Sequence, residues 1–204
     1  MLYILRHGRT EWNKDRKLQG QTDIPLDEEG RKMAIDAGRK CLDVHFDICF
    51  SSPLIRAHET AQLFLEGRDV PIIKDERLRE MSFGTYEGEK DVFTKPECPV
   101  RNLFLNPAEY YPDGGAESIE QLKERTGIFL EEKVKPLLAD GKDVLIVGHG
   151  AMNCSIINNL RQADKAHFWD GMTDNCVLVN LTKEIDNLSS WDWPQKELKK
   201  LRGC

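Results

Sequence analysis

Two histidines in this chain share one setting. His7 follows a short apolar run, Leu2 to Leu5, within Arg6-His7-Gly8, and His149 follows another, Asp143 to Val147, within Gly148-His149-Gly150. A neutral imidazole is a good nucleophile at neutral pH, and a hydrogen bond at its second nitrogen holds it in one tautomer. The glycine after His7 lets the backbone turn closely, so the ring can address a phosphorus atom. Arg6 and Arg56 offer planar forks that match phosphoryl oxygens, where lysine would be a point charge. His149 adds a donor for the oxygen charge that grows in a transition state. Glu80 is the candidate for the proton that a departing alkoxide needs and for the base that then activates water; the acid role requires its burial. Together these types can carry phosphoryl transfer through a phosphorylated imidazole, with two arginines and two histidines in place of magnesium.

Each residue also has a plainer reading. Arg56 could pair with Glu59 or Thr60, and Glu80 with Arg77 or Arg79. His45, His58 and His167 lack the strand-end setting and read as ordinary satisfied side chains. The five histidines show no metal-ligand spacing and no Asp-rich cluster accompanies the blocks, so neither a metal nor a cofactor is expected.

The motifs form an ordered series. Leu5-Arg6-His7-Gly8-Arg9-Thr10-Glu11-Trp12-Asn13, Gln19-Gly20, Ser51-Ser52-Pro53 with Arg56, Leu78-Arg79-Glu80 with Gly84 and Gly88, and Gly148-His149-Gly150 follow one another along the chain. This series resembles the histidine phosphatase superfamily, in its phosphoglycerate mutase-like branch, over residues 2 to about 160. The resemblance implies a metal-independent phosphoric monoester hydrolase, akin to histidine acid phosphatases, with His7 as the phosphorylated residue. It implies that Arg6, Arg56 and His149 cage the phosphoryl group, that Glu80 moves the proton, and that Thr10, Asn13, Gln19 and Gly20 lie on the substrate. Mutases of this type carry an Arg-Arg-Ser segment that grips a second phosphate, whereas the matching stretch here is Val100-Arg101-Asn102-Leu103. A pocket that neither grips a second phosphate nor excludes water loses its phosphohistidine to solvent, which favours hydrolysis over mutase transfer. A non-catalytic phosphate-binding module would require a lost nucleophile or acid, and both His7 and Glu80 are present. Related phosphatases act on sugar phosphates, phosphoglycerate, ribazole phosphate and protein phosphoesters, and nothing in the sequence chooses among them.

The elements that must position these residues can be read from pattern. Leu2–Leu5 reads as a buried parallel strand, and a helix is predicted from Asp27 to about Leu42. A second strand covers Asp47–Phe50. Ser52 as cap and Pro53 at the first position then predict a helix whose inner face is Ala57, Ala61, Phe64 and Leu65, with Arg56 in its first turn. Val70–Ile73 gives a third strand and Asp143–Val147 a fourth. Between them Ser118 and Gln121 form a capping box for a long helix that Pro136 should bend or end. Alternation of this kind predicts an α/β fold, a mostly parallel sheet with helices on both faces and ligands at the carboxyl ends of the strands. The chain is expected to be one domain over residues 1–204, in which Met81 to Gly115 is an excursion walling the pocket. Phe83, Tyr86, Phe93, Phe104, Tyr110 and Tyr111 form either that apolar wall or the excursion's own core.

Composition sets outer bounds. In 204 residues, 40% hydrophobic and 31% charged, the balance is that of a globular protein. A net charge of −6 argues against a nucleic-acid partner, though a local arginine cluster can still hold a small phosphorylated substrate. Leu2–Leu5 is too short for a signal peptide or membrane span, so no membrane partner and a cytoplasmic location are expected. The six cysteines include no Cys-x-x-Cys pair and read as reduced thiols, and Cys204 does not fit a prenylation box. Three Asn-x-Ser/Thr triplets, at Asn153, Asn180 and Asn187, are read as chance matches. The basic end from Gln195 reads as a solvated tail. Trp191 and Trp193 mark either a contact surface or a closed sheet edge, and the oligomeric state is not legible.

Overall fold

A computed structural model describes residues 1–183, so the expectations for the C-terminal tryptophans and the basic tail lie outside the described residues. In chain order the elements are β1 (Leu2–Arg6), α1 (Glu11–Lys14), α2 (Glu28–Lys40), β2 (Ile48–Ser51), α3 (Ile55–Phe64) and β3 (Ile72–Lys74). They continue with α4 (Arg101–Leu105), α5 (Ile119–Phe129), α6 (Lys135–Ala139), β4 (Val144–Gly148), α7 (Gly150–Arg161) and β5 (Leu178–Asn180).

The strands form one sheet in the order β3-β2-β4-β1-β5, parallel except for β5, which runs antiparallel to β1. The side-chain period of two divides the core between its faces. Tyr3, Leu5, Cys49, Leu145 and Val147 pack with Ala61 and Phe64 of α3 on one face. Leu2, Ile4, Phe50, Val144 and Ile146 pack with α5 and α7 on the other. Burial on both faces explains why β1 and β4 are continuous apolar runs and not alternating ones.

Local signals set most boundaries. Asp27 caps α2 by accepting from the Gly30 N–H at 2.6 Å, and Ser118 and Gln121 make the reciprocal capping box of α5. The long helix does not run through Pro136. It widens into a π-helical turn at Leu130–Val134 before α6, because a proline ring displaces the carbonyl one turn earlier and donates nothing to it. The third strand begins two residues later than expected, at Ile72.

Ser52 is a correction. Leu54 occupies the cap position of α3, with no side-chain cap hydrogen bond, and the helix starts at Ile55. The Ser52 hydroxyl is bonded instead to His149 Nε2 at 2.8 Å. A strong local helix-start pattern is overridden here by a contact across the sheet.

Candidate active site

The register of β1 against β4 sets Arg6 opposite Gly148, and the His7 N–H donates to the Gly148 carbonyl at 2.9 Å. Both strands end together, which delivers His7 and His149 to the same edge with ring centroids 5.2 Å apart. The turn after β1 is held closely. Gly8 donates its N–H to Thr60 Oγ1 at 2.9 Å, and a Cβ on Gly8 would stand 2.4 Å from the Gly30 carbonyl oxygen. Only a hydrogen fits at that approach.

His7 Nδ1 lies 2.6 Å from the Gly8 carbonyl oxygen. A carbonyl only accepts, so Nδ1 carries the proton and Nε2 keeps its lone pair. The ring is almost completely buried and lines a cleft of about 270 Å³ with Arg6, Asn13, Gln19, Gly20, Arg56 and Glu80. Burial, followed by the Arg56 and Arg6 charges, holds the His7 pKa well below its ordinary value. His149 is lowered in the same way by burial, Arg56 and His7. Both imidazoles are therefore neutral at pH 7.

The guanidinium groups are fixed from behind. Arg56, fully buried, donates from Nη1 to the Thr22 carbonyl at 2.9 Å and from Nη2 to the Gly20 carbonyl at 2.7 Å. Arg6 donates to the Thr173 carbonyl at 3.1 Å. Burial lowers both pKa values, that of Arg56 to about 10, which leaves each charged at neutral pH. Arg56 does not pair with Glu59, whose carboxylate takes Arg31. Arg6 Nε, Arg56 Nε and His149 Nδ1 are buried with no protein partner among the described residues. Unmatched donors gathered around a nucleophile suit an anion that accepts from all of them.

Glu80 is buried, and its surroundings differ from both pairings considered from sequence. Arg77 takes Asp75 and Glu132, and Arg79 takes Glu76. Glu80 Oε1 accepts from the N–H groups of Met81 and Met152, and Oε2 accepts from Ala151 at 3.1 Å. The carboxylate thus sits at the amino end of α7, where the helix dipole favours negative charge. Oε1 has both lone pairs engaged, while Oε2 keeps one free for a proton.

The remaining expected residues divide. Asn13, Gln19 and Gly20 line the cleft. Thr10 does not: it is fully buried, it caps α1, and its hydroxyl is bound to Asn13 Oδ1 and Gln19 Oε1. It supports two cleft residues and does not itself line the cleft. Phe83, Phe93 and Phe104 line the cleft, whereas Tyr110 belongs to the core and Tyr111 is exposed. Arg101 donates to the Phe93 carbonyl and is not a lining residue.

Sequence reasoning missed four supports. Glu87 accepts from the N–H groups of Gln21, Thr22 and Phe83 and from the Thr22 hydroxyl, and so shapes the turn whose carbonyls hold Arg56. Gly20 in that turn has φ 57°, and a Cβ there would meet Glu87 Oε1 at 2.1 Å. Arg125 of α5 donates to the carbonyls of Arg77, Arg79 and Glu80 while held by Glu117. Asn175 donates to the His7 carbonyl, and Trp169 stacks on Phe104 at the cleft wall. Arg125 looks from sequence like any charge on a helix face, and the others are specified only by tertiary approach.

His45, His58 and His167 lie elsewhere, beside Asp47, Ser51 and Asp170. Among the described residues one trio of metal-ligating types, His45, Asp47 and Asp143, comes together. It lies at the amino ends of β2 and β4, opposite the cleft, and its carboxylates already take the N-terminal amine and Lys142.

A family model for the histidine phosphatase superfamily (branch 1) matches residues 2–191. The chain belongs to this superfamily. Among relatives of this histidine phosphatase, it is 33% identical over 195 residues to 2,3-bisphosphoglycerate-dependent phosphoglycerate mutase 2 of Gloeobacter violaceus, covering 93% of this chain and 89% of the relative. Among solved structures it is similar to Bacillus stearothermophilus YhfR, with a TM-score of 0.79 and 30% identity over 87% of this chain and 88% of the other. A mycobacterial glucosyl-3-phosphoglycerate phosphatase in complex with VO3 gives 0.77 and 28%, covering 87% and 90%. A phosphoserine phosphatase of Entamoeba histolytica in complex with phosphoserine gives 0.74 and 28%, covering 87% of each chain. Among the described residues no helix is long and apolar enough to cross a membrane.

Proposed function

We propose that this histidine phosphatase hydrolyses a small phosphomonoester through a phosphohistidine on His7. The observation that carries the reading is the His7 tautomer: Nδ1–H is committed to the Gly8 carbonyl, so the Nε2 lone pair is the nucleophile. Nε2 attacks phosphorus as the ester P–O bond breaks, and Glu80 gives a proton from Oε2 to the departing alkoxide. The Glu80 carboxylate then takes a proton from water, which attacks the phosphohistidine and releases inorganic phosphate, restoring the Nε2 lone pair. Arg6, Arg56 and His149 donate to the three equatorial oxygens throughout. Asn13, Gln19 and Gly20 contact the substrate, and residues 81–115 serve as the pocket-walling insertion of a single domain.

Hydrolysis is favoured over mutase transfer because the one arginine of the 100–103 stretch donates to the Phe93 carbonyl and does not line the cleft. The names of the curated relatives keep transfer as the second reading. Free thiols at Cys41, Cys49, Cys98, Cys154 and Cys176 support a cytoplasmic setting.

The test is turnover of p-nitrophenyl phosphate with rapid-quench trapping. Label should appear on His7, and His7→Ala should lose activity at least about a thousandfold while keeping its circular dichroism. Retained turnover in that variant, or label on another residue, would overturn the mechanism. Addition of 3-phosphoglycerate should yield inorganic phosphate; isomerisation without phosphate release would favour the mutase reading.

A further inference from the structure

The cleft that holds the phosphoryl cage is also lined by two cations that the proposed reaction does not use. Arg16 and Lys17 both line it. They follow α1 in a segment clasped to the excursion: Leu18 N–H donates to the Glu89 carbonyl, Gly88 N–H to the Leu18 carbonyl, and Asp91 N–H to the Arg16 carbonyl. Arg16 and Asp91 both hold left-handed backbone, with φ 57° and 52°, a conformation that glycine or asparagine adopts more readily. Such positions cluster where a side chain must be aimed.

The acids nearby leave donors over. Asp91 Oδ1 stands 2.7 Å from Arg16 Nε as an ion pair outside hydrogen-bond geometry, and among the described residues no hydrogen bond engages the Arg16 guanidinium. Lys17 Nζ lies 3.5 Å from Asp15, beyond a good hydrogen bond, and 5.7 Å from the centre of the Trp12 ring. The same cleft carries apolar lining from Leu18, Phe83, Val92, Phe93, Phe104 and Trp169. Because the cations and the cage line one cleft of about 270 Å³, a ligand that fills the cleft meets both.

We infer that Arg16 and Lys17 form a second anion subsite, which makes the preferred substrate a phosphomonoester with a small apolar body and a further anionic group at its far end. The inference rests on the phosphatase reading of the cage and names what that cage is offered. An oriented guanidinium and an ammonium beside apolar walls discriminate for charge through KM, since neither reaches the reacting phosphorus.

The experiment compares 4-carboxyphenyl phosphate with 4-carbamoylphenyl phosphate, which match in shape and differ in charge. The wild-type protein should favour the carboxylate about tenfold in kcat/KM, mostly through KM, and added salt should erode the ratio. In Arg16→Asn with Lys17→Gln the ratio should fall to near one. Asparagine suits the left-handed backbone, and the ratio divides out any change in the shared chemical step. Equal kcat/KM for both esters in the wild type, or a preference that survives in the double variant, would overturn the subsite. No turnover of either ester would instead sink the phosphatase reading beneath it.

Discussion

At the scale of single residues, the site depends on which atom holds a proton. The Gly8 carbonyl fixes the His7 tautomer, and burial with two nearby guanidinium groups keeps the ring neutral far into acid. The sign follows directly: a lowered histidine pKa means that the reactive neutral form persists below pH 6.5 and is lost only well beneath it. Glu80 is the other proton holder, and its Oε2 is the atom with a lone pair to spare. Glu80→Gln should slow esters of poor leaving groups by about a hundredfold or more and p-nitrophenyl phosphate much less in the first step. With the good leaving group, phosphorylated His7 should accumulate as a burst, because water then lacks its base. Equal losses for both esters, with no burst, would remove Glu80 from the acid role.

At the scale of elements, four secondary-structure termini converge. The ends of β1 and β4 carry the histidines, α3 carries Arg56, and the amino end of α7 receives Glu80. The close approach of the turn after β1 to α2 holds this arrangement, since a Cβ on Gly30 would stand 2.0 Å from the Arg9 carbonyl oxygen. Gly30→Ala should therefore cost about 1–3 kcal/mol of stability, measured by urea unfolding, and lower kcat by shifting the His7 turn. A variant of unchanged midpoint and rate would show that the contact relaxes freely. Much of this was legible beforehand, because strand-end histidines beside glycine and capped helices follow from local rules. Ser52 was misread because its hydroxyl reaches the Leu54 N–H and His149 and stops short of the first turn of α3. The brief β5 has too few residues to show a period, and Glu87 and Arg125 act on carbonyls remote in sequence. Thr10 holds its motif position behind the cleft, bonded to Asn13 and Gln19.

At the scale of the whole molecule, an acidic protein encloses a cationic pocket. The net charge is −6, yet Arg6, Arg56, Arg16 and Lys17 all line one cleft. Both buried histidines have folded pKa values below the unfolded one near 6.5. Below that pH the unfolded chain takes protons that the folded chain refuses, so stability falls as pH drops from about 6.5 towards the folded values. Each histidine contributes a slope of up to about 1.4 kcal/mol per pH unit. Urea midpoints between pH 7 and 5 should record this, with vanadate offsetting part of the loss; midpoints flat across that range would contradict the burial of the pair.

The position of β1 bears on biosynthesis. It lies between β4 and β5, so this strand leaves the ribosome well before its neighbours, which among the described residues are 144–148 and 178–180. The segment that buttresses the His7 carbonyl, at Asn175, is equally late. Pairings so distant along the chain are slow to close and leave an apolar ribbon waiting for its partner strands to emerge. Nascent chains arrested with residues 1–140 outside the exit tunnel should bind trigger-type chaperones through Leu2–Leu5 and show no turnover, and both properties should reverse once residue 180 has emerged.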